Sequence, residues 1–214
     1  MSVVPLTLGT SVVKTSAQFQ LDGHGILIKP CDDDQLKPQP GDANTSYDLR
    51  VGGVYRDHRK GASGRNLTAG QTIKLRPGTA VIIQTEEWVE FPTTMMGQIL
   101  PKVSLLEKGI ANTPTKIDPG YKGYLVVTAF NHGRNVVELE PQQKFCSLYV
   151  LSVAQGVVPY DKPGKFLVGQ PNRNWRQDFV DRARAIGPYV GFFGGIPAAL
   201  WFLLQLGSYL WRHF

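Results

Sequence analysis

Between Gly25 and Val153 no stretch sustains an apolar helical period for three turns, which removes helical bundles and alternating α/β folds from consideration. Short runs rich in β-branched and aromatic residues take their place, at Gly25–Lys29, Ala80–Thr85, Gly123–Asn131 and Phe145–Ser152. Turn material separates them, including Gly41-Asp42, Pro77-Gly78 and Pro119-Gly120. The 23 glycines and 15 prolines of this 214-residue chain, with charged residues at only 19%, favour short strands and tight turns. One all-β domain, barrel or sandwich, is expected over 25–158, behind an N-terminal segment at 1–24. Two inserts, Lys37–Thr45 and Arg56–Arg65, read as loops.

The composition changes after Val157. Residues 159–175 carry Pro, Gly and Asn and read as an extended tail; 176–185 is polar and predicts a short juxtamembrane helix. From Ile186 to Trp211 there is no charged residue. About 26 residues at 1.5 Å rise exceed the ~30 Å hydrocarbon core, so a transmembrane helix is expected over 186–211. Gly187, Gly191 and Gly195 recur every fourth residue and would offer it a close helix-packing face. Arg173, Arg176, Arg182 and Arg184 precede the span and Arg212 follows it, which predicts a single-pass inner-membrane protein with its β domain in the cytoplasm. No secretory signal is evident in the first twenty residues.

The net charge of +6 suits an anionic partner such as a phosphate or a lipid headgroup. Part of it belongs to the basic stretch before the apolar segment, so nucleic acid is not expected. Cys31 and Cys146 lie far apart without metal-ligand spacing and read as reduced, mostly buried thiols. His24, His58 and His132 have no ligand partners at useful spacing.

Four blocks carry more specific information. Ile28-Lys29-Pro30 is followed by Asp34-Gln35-Leu36-Lys37-Pro38 and by Ser46-Tyr47-Asp48-Leu49-Arg50-Val51-Gly52. Pro101-Lys102-Val103-Ser104-Leu105-Leu106-Glu107-Lys108-Gly109 forms the second block. The third is Ile117-Asp118-Pro119-Gly120-Tyr121-Lys122-Gly123, continuing to Phe130-Asn131-His132-Gly133. The fourth is Tyr160-Asp161-Lys162-Pro163-Gly164-Lys165-Phe166 with Gly169-Gln170. On their own chemistry, Asp48 and Arg50 alternate with Leu49 and Val51, which puts the polar pair on one face of a strand. Asp118 to Tyr121 reads as a turn presenting a carboxylate and an aromatic ring.

In order and spacing these blocks resemble the dCTP deaminase branch of the dUTPase superfamily over roughly Gly25 to Gln170. The resemblance implies a distorted β-barrel or jelly roll, a homotrimer, and active sites built between subunits. It implies that Asp48, Arg50, Lys102, Ser104, Asp118, Tyr121, Tyr160, Lys165 and Gln170 contact a pyrimidine deoxynucleoside triphosphate. Mg²⁺ would accompany the triphosphate, with Asp48 reaching it through water. Asp118 is the residue implied to activate the attacking water, and Tyr121 packs against deoxyribose. The resemblance also implies that the tail with Lys165 and Gln170 folds over the triphosphate.

The sequence departs from the family pattern where deamination is performed. Thr128 stands in place of the glutamate that shuttles protons, and threonine does not ionise near neutral pH. Val103 stands for the family's first serine and Glu107 for its arginine. Three functional readings follow. The first is a membrane-anchored, catalytically degenerate nucleotide sensor or effector, for instance in antiviral defence. The second is an active membrane-tethered dCTP deaminase or dUTP diphosphatase, and the third is a trimeric scaffold without a ligand.

Overall fold

The computed structural model describes residues 2–36, 44–58, 63–68, 70–154, 157–164, 166–167 and 169–170. The N-terminal residues belong to the body they precede. Strand β1 (Val12–Val13) pairs in parallel with β2 (Ile26–Lys29), and Leu6, Val12 and Val13 are buried. Between these strands helix α1 (Ser16–Asp22) starts at Thr15, whose hydroxyl accepts the Gln18 N–H at 3.2 Å, and stops at Gly23.

β3 (Ser46–Asp57) is the strand that joins two sheets. Its first half pairs with β12 (Lys144–Ser152), and its second half, from Val51, pairs with β6 (Ala80–Glu90). Gly52 lies at the crossing, where a Cβ would sit 2.6 Å from the Gln84 carbonyl oxygen, so no larger residue fits. On one side β12 continues to β7 (Met95–Pro101) and then β9 (Thr115–Ile117). On the other, β6 is covered along its length by β10 (Lys122–Asn131), which also pairs with β8 (Ile110–Asn112). β4 (Gly64–Asn66) lines the outer edge of β3, while β5 (Ile73–Leu75) and β11 (Val137–Leu139) form a separate two-stranded sheet. The core lies between the layers: Tyr47, Leu49 and Val51 of β3, Val81 and Ile83 of β6, Leu125, Val127 and Ala129 of β10, and Leu148 and Val150 of β12. Alternation of these residues with half-exposed neighbours is what a sheet with one buried face requires.

The all-β reading therefore stands. Arg56 and Asp57, expected in a loop, extend β3, and Gly64 and Arg65 begin β4. The expected transmembrane helix is corrected: among the described residues no helix is long and apolar enough to cross a membrane. The span placed at 186–211, with Gly187, Gly191 and Gly195, lies outside the described residues, as does the helix at 176–185. The described residues are assigned to an all-β fold, with no membrane-spanning helix among them. Strand hydrogen bonding and a core of β-strand side chains account for every described element but the two short helices and a 3₁₀ turn (Asp33–Gln35).

Candidate functional site

Asp48 sits where three strands and one short helix meet. Cross-strand register puts Ser147 of β12 opposite Asp48 and opposite Leu100 of β7. The Ser147 hydroxyl donates to Asp48 Oδ1 at 2.7 Å. β7 ends at Pro101, and Lys102, which starts helix α2 (Val103–Leu106), brings its Nζ onto Asp48 Oδ2 as an ion pair. Gln35 holds the backbone of Asp48 from the other side. Its Oε1 accepts the Asp48 N–H at 2.7 Å, and its Nε2 donates to the Asp48 carbonyl at 3.1 Å. A side-chain amide thus supplies the two bonds a neighbouring strand would supply.

Arg50 shares the polar face of β3 with Asp48 but has different partners. Its Nε donates to Glu87 Oε1 at 2.6 Å, its backbone N–H donates to Glu87 Oε2 at 2.9 Å, and a terminal nitrogen donates to the Pro30 carbonyl at 2.9 Å. Glu87 has no solvent exposure. It reaches inward because β6 carries extra residues between Gln84 and Trp88, which oppose Val126 and Tyr124 of β10. Thr85 fills the irregularity: its hydroxyl accepts the Leu125 N–H at 3.1 Å and donates to the Glu87 carbonyl at 2.8 Å. Burial raises the Glu87 carboxyl above its ordinary value, and the Arg50 N–H groups pull against that rise.

Asp118 and Tyr121 form a second group. The turn closes with the Tyr121 N–H on the Asp118 carbonyl at 3.2 Å. It is not a hairpin tip, because β9 pairs with β7 whereas β10 pairs with β6 and β8. Asp118 is partly exposed and paired with Lys116 at 2.7 Å. Tyr121 is buried instead of presented: its hydroxyl donates to the Tyr124 carbonyl at 2.5 Å, and its ring lies 5.3 Å from that of Tyr160.

These two groups do not meet within one chain. Asp48 is level with Ser147 and Leu100, while Ile117, just before Asp118, is level with Gly97. With β3, β12, β7 and β9 in that order, the offset is about 14 Å across the strands and about 10 Å along them. Ser104 is exposed on α2 beside Val103, which is 68% exposed, and Leu105 anchors the turn in the core. Thr128 lies on the half-exposed face of β10, opposite Ile82 of β6. Lys165 lies outside the described residues, and Gln170 is described through its backbone alone, in β13 (Gly169–Gln170), parallel to β4. Among the described residues no cluster of three or more His, Cys, Asp or Glu side chains could hold a metal ion.

Sequence reasoning missed Gln35 as a support, Glu87 and Ser147. Gln35 lay in plain view inside the first block; Glu87 and Ser147 carry no local signal, because their partners are 37 and 99 residues away.

The dCTP deaminase-like family pattern matches residues 13–152. A dCTP deaminase of Thermococcus kodakarensis is 31% identical over 123 residues, covering 58% of this chain and 74% of that protein. A deoxyuridine 5'-triphosphate nucleotidohydrolase of Clostridioides difficile is 33% identical over 94 residues, 42% of this chain and 66% of that protein, so the chain spans just under two thirds of it. The solved 2'-deoxycytidine 5'-triphosphate deaminase of Agrobacterium tumefaciens is similar with a TM-score of 0.48 at 20% identity, over 63% of this chain and 43% of that one. The blocks around Asp48, Lys102 and Asp118 fall inside the matched region, and the chain belongs to the dCTP deaminase-like family.

Proposed function

We propose that this chain binds a pyrimidine deoxynucleoside triphosphate between copies of itself and does not deaminate it efficiently. One observation carries the reading: Asp48, Lys102 and Ser147 form a built polar cluster, while the half-exposed position on β10 that would hold an ionisable base holds Thr128. Lys102 is a point-charge partner for a phosphate, released from Asp48 when a stronger anion arrives. The separation of the Asp48 group from Asp118 and Tyr121 within one protomer supports a site completed by a second copy, as a trimer would provide.

Mg²⁺ fits this arrangement only as a companion of the triphosphate. A single carboxylate, Asp48, acting through water is a common protein contribution to such an ion when phosphate oxygens supply the rest. The ion would neutralise phosphate charge. What the chain itself supplies is the Lys102 charge, the hydroxyls of Ser104 and Ser147, and the Asp48 carboxylate held in place by Gln35.

Diphosphatase activity is the second reading, favoured by the retained Asp118 in its turn. A carboxylate there can take a proton from water, provided Lys116 yields it. Thermal shift and product formation, measured together with dCTP, dUTP and dTTP in the presence of Mg²⁺, separate the two. A shift without product is expected. Release of a monophosphate would establish the diphosphatase, and conversion of dCTP to dUTP would overturn the proposal.

A further inference from the structure

Gln84 is a buried polar residue, 9% exposed, on the side of β6 opposite the core, alongside half-exposed Ile82 and near Thr128 of β10. It is covered by the chain's own C-terminal strap. The strap leaves the Asp118–Tyr121 turn with the Tyr160 N–H on the Pro119 carbonyl at 2.7 Å. Gly164 then lies flat on β10, where a Cβ would come within 2.1 Å of the Lys122 carbonyl oxygen and 2.9 Å of Gly123 Cα. Next, the Leu167 N–H donates to Gln84 Oε1 at 2.8 Å. Finally Gly169 and Gln170 pair in parallel with Gly64 and Arg65 of β4. The strap thus crosses the β10–β6–β3–β4 sheet, with Gln84 as the contact midway.

We propose that Gln84 is the latch that docks this strap on the sheet before any ligand arrives. A side-chain amide taken out of water costs free energy unless it is bonded, and so does a backbone N–H; here each satisfies the other. Because the strap contributes a main-chain N–H, docking depends on an acceptor at position 84 and not on the side chain at 167. Gln84 is therefore a positioning residue, acting through the strap that it holds on β6, where Gln84 stands opposite Val126 of β10. The latch belongs to the ligand-free fold and goes beyond the nucleotide reading.

Limited trypsin digestion of the full chain without nucleotide tests it, with cleavage of the Lys165–Phe166 bond, next to the exposed Phe166, followed by mass. Gln84→Leu removes the acceptor, and Leu167→Pro removes the donor from the strap alone, leaving the sheet untouched. Each is expected to speed cleavage about fivefold, the factor for one net hydrogen bond, and the double variant should be no faster than either. Gln84→Glu keeps an acceptor oxygen and should stay within about twofold of the parent. Unchanged cleavage in Leu167→Pro, or a Gln84→Glu variant as labile as Gln84→Leu, would overturn the latch. Absence of a nucleotide-induced thermal shift in a protein whose strap is protected would count against the proposed nucleotide site and leave the latch standing.

Discussion

The Arg50 guanidinium closes on the Glu87 carboxylate at 2.6 Å, with the acid wholly removed from solvent and the base only 17% exposed. This pair ties β3 to β6 where β3 passes from one sheet to the other, and its third bond, to Pro30, ties in the chain after β2. Arg50→Met should cost about 3–5 kcal/mol in urea denaturation, because it strands a buried carboxylate. Replacing both partners, Arg50→Met with Glu87→Leu, should cost less than Arg50→Met alone. A double variant as unstable as the sum of the singles would show that the two side chains act independently.

Gln35 should matter through Asp48. Gln35→Ala loses both bonds to the Asp48 backbone and is expected to lower stability by about 1 kcal/mol. Gln35→Glu should be worse at pH 7, since an acceptor-only carboxylate would face the Asp48 carbonyl and Asp32 Oδ2 where the amide now donates. Its deficit relative to Gln35→Ala should shrink as the pH falls and the new carboxyl regains a proton. Calorimetry of the three proteins between about pH 4 and 7, a window that includes the ordinary glutamate value of about 4.3 and any rise caused by the neighbouring oxygens, reads the difference.

Cys31 should be a slow thiol. Burial, with the Asp33 carboxylate adding to it, raises its pKa to about 11, and burial likewise raises the Cys146 thiol well above the ordinary range. At pH 8 the native thiolate fraction is about 100-fold below that of an ordinary cysteine, so alkylation by iodoacetamide should be slower by a similar factor. Labelling should keep accelerating up to about pH 11, where Cys31 becomes half ionised. Modification of folded protein at the rate of a free thiol near pH 8 would contradict the effect of half-burial and of the Asp33 carboxylate on Cys31.

How much of this was legible depends on the range over which each feature is encoded. The alternation of Tyr47, Leu49 and Val51 with Asp48 and Arg50 has a period of two and can be read from these five residues. The partners of those polar residues cannot. Asp48 meets Lys102 and Ser147 only because β12 is brought alongside β3 and β7 alongside β12, and Arg50 meets Glu87 only because β6 is irregular at that point. The N-terminal residues escaped notice because β1 is two residues long, too short for any periodicity. An uncharged C-terminal stretch suggested a membrane helix by composition alone, which measures polarity and says nothing of how that stretch is placed.

On the proposed reading, installing deamination should take more than one residue change. Thr128 occupies a half-exposed position on β10, opposite Ile82, so Thr128→Glu can be accommodated without burying a charge in the core. The new carboxylate would supply a base, but Val103 still offers no hydrogen bond on the exposed turn of α2, and Glu107 still ends that turn with the charge of a phosphate. Thr128→Glu alone is therefore expected to leave dUTP production from dCTP at background. The triple variant Thr128→Glu, Val103→Ser, Glu107→Arg should produce it measurably, at least about tenfold above the single variant, since a positioned general base typically contributes 10²–10⁴-fold once its substrate is held. Deamination by Thr128→Glu alone would mean that Val103 and Glu107 do not limit the site. A silent triple variant with intact nucleotide binding would place the missing chemistry elsewhere, with the turn carrying Asp118 as the next position to change.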